Sequence, residues 1–154
     1  MTSGPYDLIS TYVVQDGTLH AATRTAADRG TVWSPDGVVS TSALPLDGPN
    51  GVGLPGGRAL LVFRDAAKKG WFTVFDPSKT PNWREPAKLV PGSNPVLAST
   101  PQLVPDTCGA DVTLAYAEAG GSVALLRYSE NAWHGPFVVR GLSNVTYATV
   151  IAAP

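Results

Sequence analysis

The sequence predicts an all-β protein built from three propeller blades, and three observations predict it. Trp33, Trp83 and Trp133 recur at a constant interval of fifty residues, each followed two or three positions later by a proline, Pro35, Pro86 or Pro136. A strand-like run ending near an aromatic, a glycine-bearing turn and a return strand precede every one of these tryptophans. No stretch carries a helical apolar period; the best local helix former, Ala66-Ala67-Lys68-Lys69, is one turn long and bounded by Gly70, too short to be stable alone. A period of ~40–50 residues filled with short strands marks blades, small sheets that bury their faces only by stacking on neighbours. The units fall at about 7–50, 51–101 and 102–154. The competing arrangement is an all-β sandwich in which the tryptophans occupy unrelated positions.

Within each unit the elements come in one order. The first strands are predicted at Leu8 to Tyr12, Leu60 to Phe63 and Val112 to Tyr116. The turns contain Gly17, Gly70 and Gly120-Gly121, since glycine supplies the positive φ of a tight hairpin. Return strands run from Thr18 to Arg24, Trp71 to Phe75 and Ser122 to Tyr128. After the tryptophan come short outer runs, Val38-Val39, Lys88 to Val90 and Phe137 to Val139, rich in β-branched or aromatic residues. The second and third units then reach alternating segments, Pro95 to Ser99 and Val145 to Val150, expected as further strands. Leu44 to Gly57 is dense in Pro and Gly and reads as a long inter-blade loop.

Composition narrows the function. With 154 residues the chain is about one domain, and its sixteen glycines and fourteen prolines are spread along it as a turn-rich β protein requires. A net charge of −1 without a basic stripe argues against nucleic acid as a partner. No apolar run approaches ~18 residues, so no membrane span is expected. The start, Met1 to Pro5, lacks the regions of a signal peptide, and the expected location is cytoplasmic, or outside the cell after release without a signal peptide. The single cysteine, Cys108, and the two histidines, His20 and His134, lack metal-ligand spacing, so no metal or other cofactor is expected. Cys108 reads as a loop residue without a partnering base.

The order of strands carries an expectation about assembly. The first blade begins with its aromatic strand, whereas the C-terminal segment corresponds to the strand that precedes the aromatic strand elsewhere. Closed propellers have ~4–8 blades, so three cannot close a ring. The expected solution is half of a six-bladed β-propeller completed by a second chain, either a homodimer that exchanges C-terminal strands or another propeller half.

Phe75 to Lys79 before Trp83, and Ser129 to Gly135 around Trp133, resemble blades of the fungal fucose-binding lectins of the Aleuria aurantia type, a likeness extending over nearly the whole chain. Asp28 to Trp33 is similar to the Asp-box of sialidase propellers, in one degenerate copy. The lectin resemblance implies a sugar held by an arginine two positions before the strand aromatic, a glutamate on the return strand and rings from the neighbouring blade. The arginine position holds Ser10, Leu61 and Leu114, and the glutamate position, counted from the turn glycines, holds Ala21, Val74 and Leu125. Sugar hydroxyls facing leucine or valine lose water partners at a cost of about 1–3 kcal/mol each, which argues against fucose recognition in that family's manner.

Two functional expectations follow. One is a lectin-like module whose inter-blade pockets stack a sugar or other small molecule on Trp33, Trp83 or Trp133, with Arg24, Arg64, Glu118, Arg127, Tyr12 and Tyr116 at their edges. Inter-blade packing competes with ligand contact as the role of the tryptophans. The alternative is an enzyme of the cyclase or pericyclase type on the same scaffold, as found among relatives of these lectins in fungal natural-product pathways. An apolar pocket lined by Leu61, Val74, Leu114 and Leu125 would then orient a reactive intermediate, with Tyr12, Tyr116 or His134 polarising a carbonyl.

Overall fold

The computed structural model describes residues 6–25, 33–34, 37–90, 93–106 and 109–152, with the side chains of the first two left out. The described residues form three antiparallel sheets and no helix. Tyr6–Val13 (β1), Leu19–Thr25 (β2) and Gly37–Ser40 (β3) make the first sheet. The second contains Asn50–Leu54 (β4), Arg58–Arg64 (β5), Gly70–Phe75 (β6) and Ala87–Lys88 (β7). The third contains Gln102–Pro105 (β8), Val112–Ala117 (β9), Val123–Ser129 (β10) and Ala132–Val139 (β11). Each sheet is an up-and-down meander, as expected of blades. The Asp-box-like stretch 28–32 and Cys108 lie outside the described residues.

Two predicted elements move. The segment from Pro95 to Ser99 is not a strand but a connection held by isolated bridges, Lys69 to Val96 and Leu97 to Glu118. The strand before each aromatic strand is instead β8, or β4 within the supposed loop from Leu44 to Gly57. In β4 Gly51 fits a crowded place, where a Cβ would lie 3.2 Å from the Leu61 side chain.

The hairpin turns repeat in register. Val13 pairs with Leu19, Arg64 with Gly70 and Ala117 with Val123. Inside each, one amide donates back across the turn: Gly17 N–H to Val14 O (2.8 Å), Lys68 N–H to Asp65 O (2.8 Å) and Gly121 N–H to Glu118 O (2.9 Å). The donors share a left-handed backbone, with φ of 87°, 59° and 85°. In the second blade Lys68, not Gly70, therefore takes the positive-φ position. Gly70 is there for another reason: a Cβ would approach Leu89 to 2.9 Å and Leu97 to 3.0 Å. This shifts the second-blade register by two, so the residue matching Ala21 and Leu125 is Phe72 rather than Val74.

The blades stack through faces set by strand alternation. Leu19, Ala21, Val39 and Ala43 of the first blade pack with Leu61 and Phe63 of the second, with Trp71 and Trp83 against them. Val62, Leu89, Val90 and Leu97 pack with Leu114, Tyr116, Ala124 and Leu126 of the third, joined by Phe72 and Trp133. The tryptophans repeat structurally too: Trp33 bridges Arg24, Trp83 bridges Phe75 and Trp133 pairs with Tyr128 at matching positions. Trp83 and Trp133 lie between blades and are half-buried, whereas Trp33 on the first blade's outer face is 43% exposed.

The C-terminal segment has no strand partner among the described residues. Val145 N–H donates to Gly121 O (3.2 Å), as Leu97 N–H donates to Lys68 O (2.8 Å) at the preceding junction. Val145, Ala148 and Val150 lie against Ala115, Ala117 and Val123 of the third blade. Exposed apolar side chains gather at the two ends of the stack, with Leu8 and Tyr12 on the first blade and Phe137, Tyr147 and Ile151 at the other end. No helix among the described residues is long and apolar enough to cross a membrane.

Candidate functional site

The stack contains two complete inter-blade junctions, and they differ in the space beside the tryptophan. Between the second and third blades Phe72 reaches Trp133 edge to face, with centroids 5.9 Å apart. Tyr128 completes the aromatic cluster, 5.1 Å from Trp133 and 6.4 Å from Phe72. At the first junction Ala21 replaces Phe72, and a half-open cavity of about 330 Å³ is found beside Trp83. The first blade supplies Ala21, Thr23, Gly37, Val38 and Val39; the second supplies Phe75, Pro81, Asn82, Trp83 and Glu85.

The walls are held firmly. Trp83 is braced by Phe75 at 5.2 Å, the counterpart of Tyr128 on Trp133. Thr73 Oγ1 donates to Arg84 O, and Arg84 N–H donates to Val74 O (3.1 Å), tying the tryptophan-bearing segment to β6. The Thr23 hydroxyl hydrogen-bonds that of Ser34. Ser42 Oγ of the first blade donates to Glu85 Oε2 of the second at 3.2 Å, a polar clasp across the junction. An aromatic wall with an amide, a hydroxyl and a carboxylate at its rim is suited to a small polar ligand that also has an apolar face.

Of the residues expected at ligand sites, Trp83 alone lines this cavity. The Arg24 guanidinium lies 5.9 Å from the Trp33 ring centre, and Tyr12 stacks on His20 at 5.9 Å. Arg64 is structural: it pairs with Asp47 and donates to Ala98 O (2.7 Å) and Leu97 O (3.3 Å), joining both inter-blade connections. That pairing holds the Asp47 carboxyl below the ordinary carboxylate range. Glu118 accepts from Ser122 Oγ (2.7 Å) within its own turn. Arg127 pairs with Asp111 on an exposed edge, which raises its pKa. Tyr116 is fully buried; desolvation pushes its hydroxyl up to about 12, and the hydroxyl has no hydrogen-bond partner among the described residues. Trp133 is enclosed by Phe72 and Tyr128, its indole N–H also without a partner. Of the apolar positions expected to line a catalytic pocket, Leu61 and Leu114 lie in the blade cores, and Val74 packs with Leu54, Leu60 and Val112 in a core of its own.

Sequence reasoning missed Asn82, Glu85 and Thr23. Pro81 and Pro86 flanking Trp83 were the available signal, since a tryptophan between prolines belongs to a rigid loop that can form a wall.

The chain matches no protein-family model and no curated protein. Among solved structures it is similar to a mutant of AofleA from Arthrobotrys oligospora in which three arginines are replaced by alanine, at 12% identity and a TM-score of 0.59, over 90% of this chain and 40% of that one. It is similar to a fucose lectin from Kordia zhangzhouensis solved with methyl-fucoside, at 15% identity and a TM-score of 0.58, over 88% of this chain and 90% of that one. An intramolecular trans-sialidase from Ruminococcus gnavus matches at 16% identity and a TM-score of 0.53, over 82% of this chain and 28% of that one. The chain thus spans less than half of the first and third proteins and nearly all of the second. At these identities the likeness defines the fold, a β-propeller-like stack of the kind found in sugar-binding lectins and sialidases.

Proposed function

We propose that the chain is a glycan-binding half-propeller whose ligand stacks on Trp83 in the cavity between the first and second blades. The observation that carries this reading is the exchange of Phe72 for Ala21 at matching positions, which leaves an aromatic wall open to solvent at one junction. The fold shared with a fucose lectin supports a sugar as the ligand class. Titration of the protein with a panel of mono- and oligosaccharides, followed by tryptophan fluorescence and calorimetry, tests it. Saturable binding lost in Ala21→Phe is expected; binding unaffected by Ala21→Phe would refute the site.

We further propose that two copies close a six-bladed ring. The exposed Tyr12 lies at a position that is buried core in the second and third blades, where Phe63 and Tyr116 match it, and the exposed Trp33 matches the half-buried Trp83 and Trp133. Among the described residues the first sheet has no counterpart of the strand that β4 and β8 provide elsewhere. Val150 stands as far beyond Val145 as Gln102, the first residue of β8, stands beyond Leu97. The completing strand therefore starts at Val150, later than the sequence segment from Val145 to Val150 suggests, and would pair with β1 of the second copy. The fucose lectin that this chain matches over nearly its whole length is a chain of comparable size, consistent with a three-blade unit. Light scattering at micromolar concentration should give twice the 16.0 kDa chain mass, and a folded monomer would overturn the ring.

A further inference from the structure

The charge of the Trp83 cavity, taken with its reading as a glycan site, narrows the ligand further. Glu85 is the single ionisable group among its described lining residues. Its Oε2 accepts from Ser42 Oγ of the opposite blade at 3.2 Å, which fixes the carboxylate at the rim. No cation is found among the described lining residues. Arg84, between Trp83 and Glu85 in sequence, is exposed and is not one of the described lining residues. Arg24 lies over Trp33 on the outer face of the first blade.

We propose that this cavity selects sugars carrying an ammonium group, of the 2-amino-2-deoxyhexose type, and rejects sugars carrying a carboxylate. An indole face attracts a cation through its quadrupole, and a carboxylate beside it accepts a charge-assisted hydrogen bond from the same group. A sialic acid would bring its carboxylate toward Glu85 with no cation among the described lining residues to compensate, and like charges placed together at an interface oppose binding. The rings of both neutral and amino sugars offer the C–H face that stacks on Trp83, so the ammonium provides discrimination and stacking provides the common affinity.

The test compares glucosamine oligomers, N-acetylglucosamine oligomers and sialyllactose by calorimetry on the full chain, in wild type, Glu85→Gln and Ala21→Phe. Glucosamine oligomers should bind about tenfold tighter than their acetylated counterparts, the size of one charge-assisted contact, and sialyllactose should not bind. Glu85→Gln should abolish the difference while leaving acetylated oligomers bound, and Ala21→Phe should abolish binding of both. Equal affinity for the two oligomers in wild type, a preference that survives Glu85→Gln, or tight binding of sialyllactose would overturn the charge selectivity while leaving the site in place. Binding of neutral sugars that persists in Ala21→Phe would place the ligand elsewhere and overturn both readings, as would absence of binding by every sugar. Glu85 is exposed, so its replacement leaves the fold intact, and unchanged thermal unfolding verifies that.

Discussion

Ala21 and Phe72 occupy the same position on the return strand of their hairpins, two residues into β2 and β6, yet one borders a cavity against Trp83 and the other fills the matching space against Trp133. The exchange at this position distinguishes the junction that holds a pocket from the one that is filled.

Swapping these residues should exchange the properties of the junctions. Phe72→Ala removes a ring packed between Trp133 and Tyr128, and truncations of this kind cost about 3–5 kcal/mol. Ala21→Phe fills a space already present and should leave the melting temperature unchanged or higher. Thermal unfolding of the two single variants should therefore diverge strongly.

The hydroxyl of Tyr116 is buried without a partner among the described residues, at a position held by Phe63 in the second blade. Tyr116→Phe should stabilise the protein by about 1 kcal/mol, because a buried unpaired hydroxyl carries a desolvation penalty. Its raised pKa implies that stability is also lost as pH rises from the ordinary tyrosine value of 10.0 toward about 12, since tyrosinate forms in the unfolded chain first. In Tyr116→Phe the alkaline limb of a stability-against-pH curve should flatten.

Asp47 has a pKa below the 3.8 of an unperturbed aspartate because Arg64 and Thr100 donate to it. The contribution of this contact is present above about pH 4 and is lost as pH falls through the lower folded value. Asp47→Asn should lower stability at pH 7 and reduce its acid dependence, as urea unfolding at pH 3 and pH 7 would reveal.

Gly121 has φ of 85°, and a Cβ there would lie 2.5 Å from the backbone nitrogen of Asn144. Gly121→Ala should push the C-terminal segment off the third blade and destabilise the chain by about 1–3 kcal/mol. Hydrogen exchange should then show loss of protection at the Val145 amide, together with weaker self-association.

The fifty-residue tryptophan interval made the blades legible, because a stacked repeat must present a large ring at one place in every unit. The hairpins around Leu8 to Arg24, Leu60 to Phe75 and Val112 to Tyr128 were legible too, from β-branched and aromatic runs around turn residues. The inner strand β4 was hidden because Asn50-Gly51-Val52-Gly53 reads as a loop; its strand form comes from the ladder offered by β5 and not from local preference. Lys68 hid the second turn, since a lysine in a left-handed conformation gives no signal while Gly70 beside it imitates one. The site was legible only at Trp83; Asn82, Glu85 and Thr23 are ordinary polar residues until the blades stack.

By itself the sequence determined the strand content, the turn-separated hairpins and the threefold recurrence, all properties of local pattern. Tertiary structure decided which tryptophan borders open space, that Arg64 braces connections and that Glu85 stands at a rim, because each depends on what the adjacent blade places opposite. A pocket is the difference between two packed surfaces, and that difference arises only when distant residues such as Ala21 and Trp83 are brought together.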